Sequence, residues 1–414
     1  MKVLSPVGNF DCLKSAIAGG ADEVYLGVSD FNARNNIQGF SIETLKQAVD
    51  YAHVFGVKVL LALNILFTDD ELCDAVSIAV KAYNMGVDAF IVQDVGLASI
   101  LHDEYPEIEL HASTQMGIHN LEGVQAITPF GFKRVVLSRE TPLEEIRRIR
   151  ENSDIEIEYF AHGALCVSFS GNCYMSSYLH NASGNRGKCK QLCRLPYSLL
   201  KNGKTLKVGY LLSAKDFDMS ERISDLENAG VHVLKIEGRA RRPYYVYTAT
   251  KTYRNAVDGV KQTDKKDINL AFNRGYTEGY FNGNGSIISE VQNHIGVPIG
   301  SVTRINSGKR FNEVFIKTNE IISPKSTLKF FDGKEEKATV TAYDITKTES
   351  GYRLTTTNKI SSGYLVRLIA DGKKEEDVLS LNPKRKIVVD ITAKEAMTRL
   401  GIKKSTFYLL TKSV

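Results

Sequence analysis

Eight short β-branched runs alternate with amphipathic helical segments across residues 2–236 and predict an α/β fold, a (β/α)8 TIM-like barrel. Two further observations complete that prediction. The interval between the seventh and eighth runs is long and cysteine-rich, and after residue 290 the periodicity changes to short alternating strands, which predicts a small C-terminal antiparallel β-barrel.

The candidate barrel strands are Lys2–Leu4, Glu23–Leu26, Lys58–Leu63, Ala89–Val92, Glu109–His111, Arg134–Leu137, Glu156–Phe160 and His232–Ile236. Between them FDCLKSAIAGG, SIETLKQAVDYAHVFG, TDDELCDAVSIAVKAYNMG and TPLEEIRRIRENS have helical periodicity. Several start at Ser, Thr or Asp, whose side chains cap first-turn N–H groups, and several end near Gly. A doubly wound sheet is the rival arrangement. Its dinucleotide loop is missing, because the first βα turn reads SPVGNF, and GNRGKC has the wrong spacing and ending for a phosphate loop. Barrel chemistry sits at the C-terminal strand ends, where the chain has Asn64, Gln93, Asp94, Thr114, Gln115, Arg139, Glu140, His162, Glu237 and Arg239.

The barrel is expected over 1–260, with the insertion at 161–228, whose PYSLLKNGKTLKVGYLLS reads as a hairpin turning at Asn202-Gly203. A linker (261–290), the small β-barrel (291–381) and a helical tail (382–414) follow. The tail, with helices at Ala393–Leu400 and from Ser405, is either a helix-turn-helix or a simple helical hairpin.

A chain of 414 residues buries a large core without disulfides, and its net charge of +5 is too mild to indicate nucleic acid by itself. The N-terminus has no signal-peptide pattern and no apolar run approaches the ~20 residues of a membrane span, so a soluble, cytoplasmic protein with no membrane partner is expected. In a reducing compartment, clustered cysteines point to a metal or redox centre. Cys166, Cys173, Cys189 and Cys193 form such a cluster, spaced C-x6-C-x15-C-x3-C. Thiolates hold both zinc and iron–sulfur clusters, and only the second pair has the tight spacing of a zinc knuckle. The alternative is a set of small buried hydrophobes. Cys12 and Cys73 lie on helical patterns and read as core or surface thiols.

The segment EYFAHGALCVSFSGNCYMSS resembles the signature of the collagenase-like peptidase family U32. SPVGNFDCLKSAIAGGADEVYLG, HASTQMGIHN, RVVLSRET, HVLKIEGRAR, FNRGYTEGY and HIGVPIGSV extend the resemblance over most of residues 1–300, and the likeness is to the family's bacterial tRNA and ribosomal RNA hydroxylation members. The resemblance implies oxygen-independent hydroxylation with prephenate as hydroxyl source. The product would be 5-hydroxyuridine at the tRNA wobble position or 5-hydroxycytidine in rRNA. It also implies a [4Fe–4S] cluster on Cys166, Cys173, Cys189 and Cys193, zinc being the alternative metal, and a hetero-partner from the same family. Two other classes stay open: a peptidase, although the chain has neither H-E-x-x-H nor G-x-S-x-G, and a non-catalytic RNA-binding subunit with a structural cluster.

A dianionic donor needs cations at the barrel mouth, for which Arg139, Lys235 and Arg239 are available, with Asp94, Gln115 and Glu237 as further substrate contacts. Glu158 and His162 are the candidates for proton transfer. Each has a structural alternative: Glu158 paired with a Lys or Arg in the barrel interior, His162 bonded to the cysteine loop, and Asp94 or Gln115 as a helix cap. The basic, tyrosine-rich stretch Lys235–Lys261 either meets RNA phosphates and stacks on a base, or is a helix with its tyrosines inward.

Overall fold

A parallel barrel strand buried on both faces reads as a continuous apolar run, and each of the eight expected runs is a barrel strand. The first seven are β1 (Lys2–Pro6), β2 (Glu23–Leu26), β3 (Lys58–Leu63), β4 (Ala89–Val92), β5 (Leu110–Ala112), β6 (Arg134–Val136) and β7 (Glu156–Ala164). In the insertion β8 (Tyr197–Lys201) and β9 (Lys204–Gly209) form the expected hairpin; β10 (Asp216–Asp218) follows, and β11 (Val233–Ile236) is the eighth barrel strand. Strands β1 to β7 pair in parallel in chain order. Strand β11 pairs in parallel with both β1 and β7, Val233 lying opposite Lys2 on one side and Glu158 on the other, and this closes the barrel.

This computed structural model describes residues 1–28, 31–32, 39–260, 265–282, 286–333 and 335–383, and Met1–Pro383 form one compact unit. The expected tail helices at Ala393–Leu400 and from Ser405 lie outside the described residues. The barrel helices begin where side chains can cap them: Asn9 accepts from the Cys12 N–H, Asp94 from Leu97, and Ser41 forms a capping box with Thr44. No helix among the described residues is long and apolar enough to cross a membrane.

Strand β7 runs on to Ala164 instead of ending at Phe160, because its last residues pair antiparallel with β10, Ala164 opposite Asp216 and His162 opposite Asp218. Strand β12 (Tyr276–Thr277) then adds to β10 in parallel. The interval read as a linker therefore carries a helix, Lys266–Ala271, and a strand of the barrel sheet. Gly163 permits the crowded end of β7: its φ is 110°, and a Cβ there would stand 2.5 Å from the Glu237 carbonyl.

The C-terminal strands are β13 (Val297–Ser307), β14 (Asn312–Lys317), β15 (Ser326–Asp332), β16 (Glu335–Ala342), β17 (Ile345–Thr348), β18 (Gly351–Thr356) and β19 (Leu365–Ala370). They form one antiparallel sheet in the order β16-β15-β19-β13-β14-β18-β17. It is a half-barrel: among the described residues no pairing joins the outer strands β16 and β17. Helix Pro243–Val257 lies between the two cores. Tyr245, Val246, Ala249 and Tyr253 pack with the barrel, whereas Tyr244 packs with the sheet residues Val297, Leu328 and Leu368. Of the two readings of the Lys235–Lys261 stretch, the inward one holds for Tyr244, Tyr245 and Tyr253, which are buried and present no ring to a base.

Candidate active site

Alternation along the barrel strands turns every second side chain inward, and the barrel interior is charged as well as apolar. Arg134, at the start of β6, reaches Glu23 at 2.6 Å and 3.1 Å, Glu156 at 2.8 Å and Glu158 at 3.1 Å. Glu158 also accepts from the Lys235 ammonium at 2.6 Å and has no exposed surface. Burial opposes its charge, but Lys235 and Arg134 outweigh burial and hold its carboxyl below the usual range. Its structural alternative is thus the arrangement found: Glu158 anchors Lys235 and does not line the cavity above.

That cavity, of about 390 Å³, opens at the C-terminal ends of the strands. Tyr25, Ala62, Ile91, Ser113, Phe160 and Lys235 form its floor and sides, and the cysteine insertion folds over it. All four expected ligands, Cys166, Cys173, Cys189 and Cys193, line this one cavity. Buried hydrogen bonds fix the segment that carries them. The Arg194 guanidinium, next to Cys193, donates to Ser213 Oγ at 2.9 Å and to the carbonyls of Leu165 and Ala214. Asn185 Nδ2 donates to the Gly171 carbonyl at 2.6 Å, and Lys190 N–H to Ser176 Oγ at 3.1 Å. The Cys189 sulfur accepts the Gln191 N–H at 3.4 Å. Burial raises the Cys166 and Cys193 thiols, and the proximity of the other thiols raises them further. Among the described residues no three His, Cys, Asp or Glu side chains stand in ready coordination geometry; what the four thiols share is the cavity they line. Four soft sulfur donors lining one cavity fit the donor set of an iron–sulfur cluster or zinc.

The same cavity is lined by cations. The Arg139 guanidinium lies 3.8 Å above the Phe160 ring and donates to Glu237 at 3.3 Å. Arg239 donates to Asn32 at 3.1 Å, and Lys235 sits 4.4 Å from the Tyr25 ring centroid. Gln115 reaches the cavity while donating to the Asn64 carbonyl at 2.6 Å. Arg139, Lys235 and Arg239 are the cations of this lining, with Glu237 as its carboxylate. The structure thus brings Gln115, Arg139, Lys235, Glu237 and Arg239 together with the four cysteines.

Asp94 and His162 are not among the cavity's residues. Asp94 caps a helix, accepting from Leu97 at 2.9 Å and from the Phe67 N–H at 3.1 Å. His162 is buried behind the cavity among Tyr245, Tyr253 and Tyr276, whose ring centroids lie 5.6–5.9 Å away. Burial drives its imidazole below the usual value, against the pull of Asp218, and among the described residues its Nε2 has no hydrogen-bond partner. Tyr25, Phe160 and Ser113 are site residues that the reading of strand ends missed. Their signal was parity: Tyr25 and Phe160 lie on the inward face of β2 and β7, and Ser113 follows directly on the end of β5.

The profile of Peptidase family U32 matches residues 8–290. A 23S rRNA 5-hydroxycytidine C2501 synthase from Escherichia coli is 38% identical over 326 residues, which cover 74% of this chain and 49% of that protein, so the chain spans about half of that relative. A tRNA hydroxylation protein P from Helicobacter pylori is 33% identical over 355 residues, 79% of this chain and 84% of that one. A collagenase from Porphyromonas gingivalis is 34% identical over 307 residues, 68% of this chain and 73% of that one.

Proposed function

The chain belongs to peptidase family U32, and from that premise we propose that it hydroxylates RNA, with tRNA wobble uridine as the target and prephenate as the oxygen-independent hydroxyl donor. The observation that carries the proposal is the cavity itself: four thiols line it together with Arg139, Lys235 and Arg239. Relatives named for tRNA and rRNA hydroxylation support the reaction class.

In this reading Arg139 and Arg239 bind the carboxylates of the donor, and Lys235, kept in place by Glu158, adds a third positive charge at the floor. Phe160 and Tyr25 hold the cations by their ring faces, which fixes the direction of the N–H groups. Gln115 and Ser113 offer neutral hydrogen bonds to the donor or the base. Cys166, Cys173, Cys189 and Cys193 would hold a [4Fe–4S] cluster, which when bound supplies redox and Lewis-acid chemistry at the mouth.

Mass spectrometry of nucleosides from a deletion strain tests the proposal: 5-hydroxyuridine-derived nucleosides should disappear from tRNA and return with the wild-type gene. Loss of 5-hydroxycytidine from rRNA instead would move the target to rRNA, and retention of both would end the hydroxylation reading. A collagenase among the relatives keeps a peptidase as the second reading. Gelatin cleavage that survives changing all four cysteines to Ala would favour it. A subunit needing a partner of the same family would lose modification on deletion and regain it when that partner is overproduced.

A further inference from the structure

The loop that leaves β11 divides its charged side chains between two cavities. Glu237 and Arg239 face the cysteine-lined mouth, whereas Arg241 and Arg242 line a separate cavity of about 290 Å³ where helix Pro243–Val257 meets the half-barrel sheet. Phe272, His294, Thr327 and Glu375 complete its aromatic and polar wall.

Arg241 is unlike the other enclosed arginines. Arg134 has three carboxylates, Arg274 has Asp216, Arg139 has Glu237, and Arg194 has a hydroxyl and two carbonyls. Among the described residues the Arg241 guanidinium makes only ring contacts, 3.4 Å above Phe272 and 5.8 Å from Tyr245. Phe272 is in turn stacked on His294, with centroids 4.9 Å apart and planes at 20°. His294 is fixed by the backbone: Nδ1 accepts from Asn273 and Gly296, and Nε2 donates to the Leu270 and Ile369 carbonyls. It therefore supports the stack and has no donor left for a ligand. A guanidinium held against a ring keeps its N–H groups free at its edge, and those of Arg241 meet no protein acceptor among the described residues and line the cavity.

We propose that this cavity binds a phosphate group, taken by the planar edge of Arg241 with Arg242 as a second cation. Helix Pro243–Val257 begins in the same wall with no side-chain cap, so its positive end adds to the attraction. The carboxylate present, Glu375, is engaged by Arg242 at 3.0 Å. The phosphate is either a phosphodiester of an RNA chain or part of a small phosphate ester.

The test uses the full chain at constant ionic strength. Inorganic phosphate is titrated against the thermal midpoint, and a short fluorescent single-stranded RNA is titrated by anisotropy at several salt concentrations. Phosphate should raise the midpoint of the wild type, Arg241→Gln should weaken phosphate at least about tenfold, and Glu375→Gln should tighten it. If RNA is the source, Arg241→Gln also weakens RNA binding and lowers the slope of log K against log salt by about one. If a small ester is the source, RNA binding is unchanged while the phosphate response is lost. Should Arg241→Gln fail to fold, Glu375→Gln decides alone. A phosphate response that is absent, or that neither variant alters, overturns the proposal. Hydroxylation is read separately from cellular nucleosides, so either result can fail without the other.

Discussion

Glu158 carries its charge inside the barrel because Lys235 and Arg134 stand on either side of it, at 2.6 Å and 3.1 Å. Changing Glu158 to Ala removes the carboxylate that holds the desolvated Lys235 ammonium, while Arg134 keeps Glu23 and Glu156, and urea denaturation should show a loss of about 3 kcal/mol. The cysteines are expected to behave differently, since their segment is held by Arg194, Asn185 and Ser176 rather than by the thiols. Cys189→Ser or Cys193→Ser should keep the far-ultraviolet circular dichroism of the wild type. Each should lose the broad absorption at about 400 nm of anaerobically purified protein together with the RNA modification. Retained absorption in both variants would remove them as ligands. At this scale the sequence was uneven to read. Four cysteines in one segment are a signal along the chain, whereas the role of Glu158 depends on Lys235, a partner on a strand made much later, and on which way one strand residue faces.

The hairpin β8–β9 shows how little an element can contribute to stability while keeping its form. Asn202 and Gly203 take φ of 51° and 73°, the pair of positive values that a two-residue turn requires, and Leu199, Leu200, Leu206 and Val208 are all exposed. A hairpin without a buried face adds little to the core. Replacing 198–208 with a short Gly-Ser turn should therefore shift the thermal midpoint by less than about 2 °C; a larger fall in calorimetry would mean that the hairpin braces the insertion. Its Asn-Gly turn made it legible. Strands β10 and β12 were not, because Asp-Phe-Asp and Tyr-Thr are too short to alternate and their partners lie far along the chain. The tyrosines of helix Pro243–Val257 were ambiguous for another reason: with cations interleaved, one helical pattern serves a core face and a binding face equally well.

For the molecule as a whole, the carboxylates around Arg134 tie the fold to pH. Burial works against the charge of Glu23, but Arg134 outweighs it and lowers the carboxyl from its ordinary 4.5 to about 2. A depressed carboxyl stabilises the fold fully above its unfolded value, and that contribution is lost as pH falls toward the folded one. Stability should hold above about pH 5 and then decline toward pH 2 by about 3 kcal/mol from this group. Glu23→Gln should flatten that decline in acid denaturation, and an unchanged curve would mean that other carboxylates carry it. The barrel class was legible because buried strands and capped helices alternate without interruption through the first seven strands. Whether the second sheet closes was not, since closure rests on two outer strands, β16 and β17, meeting across space. Chain order also sets an order in time. Protein synthesis runs from the N-terminus, and β11, the one strand that touches both β1 and β7, is the last barrel strand to be made. All four cysteines therefore leave the ribosome before the barrel can seal, and the interior stays open to solvent until Lys235 meets Glu158.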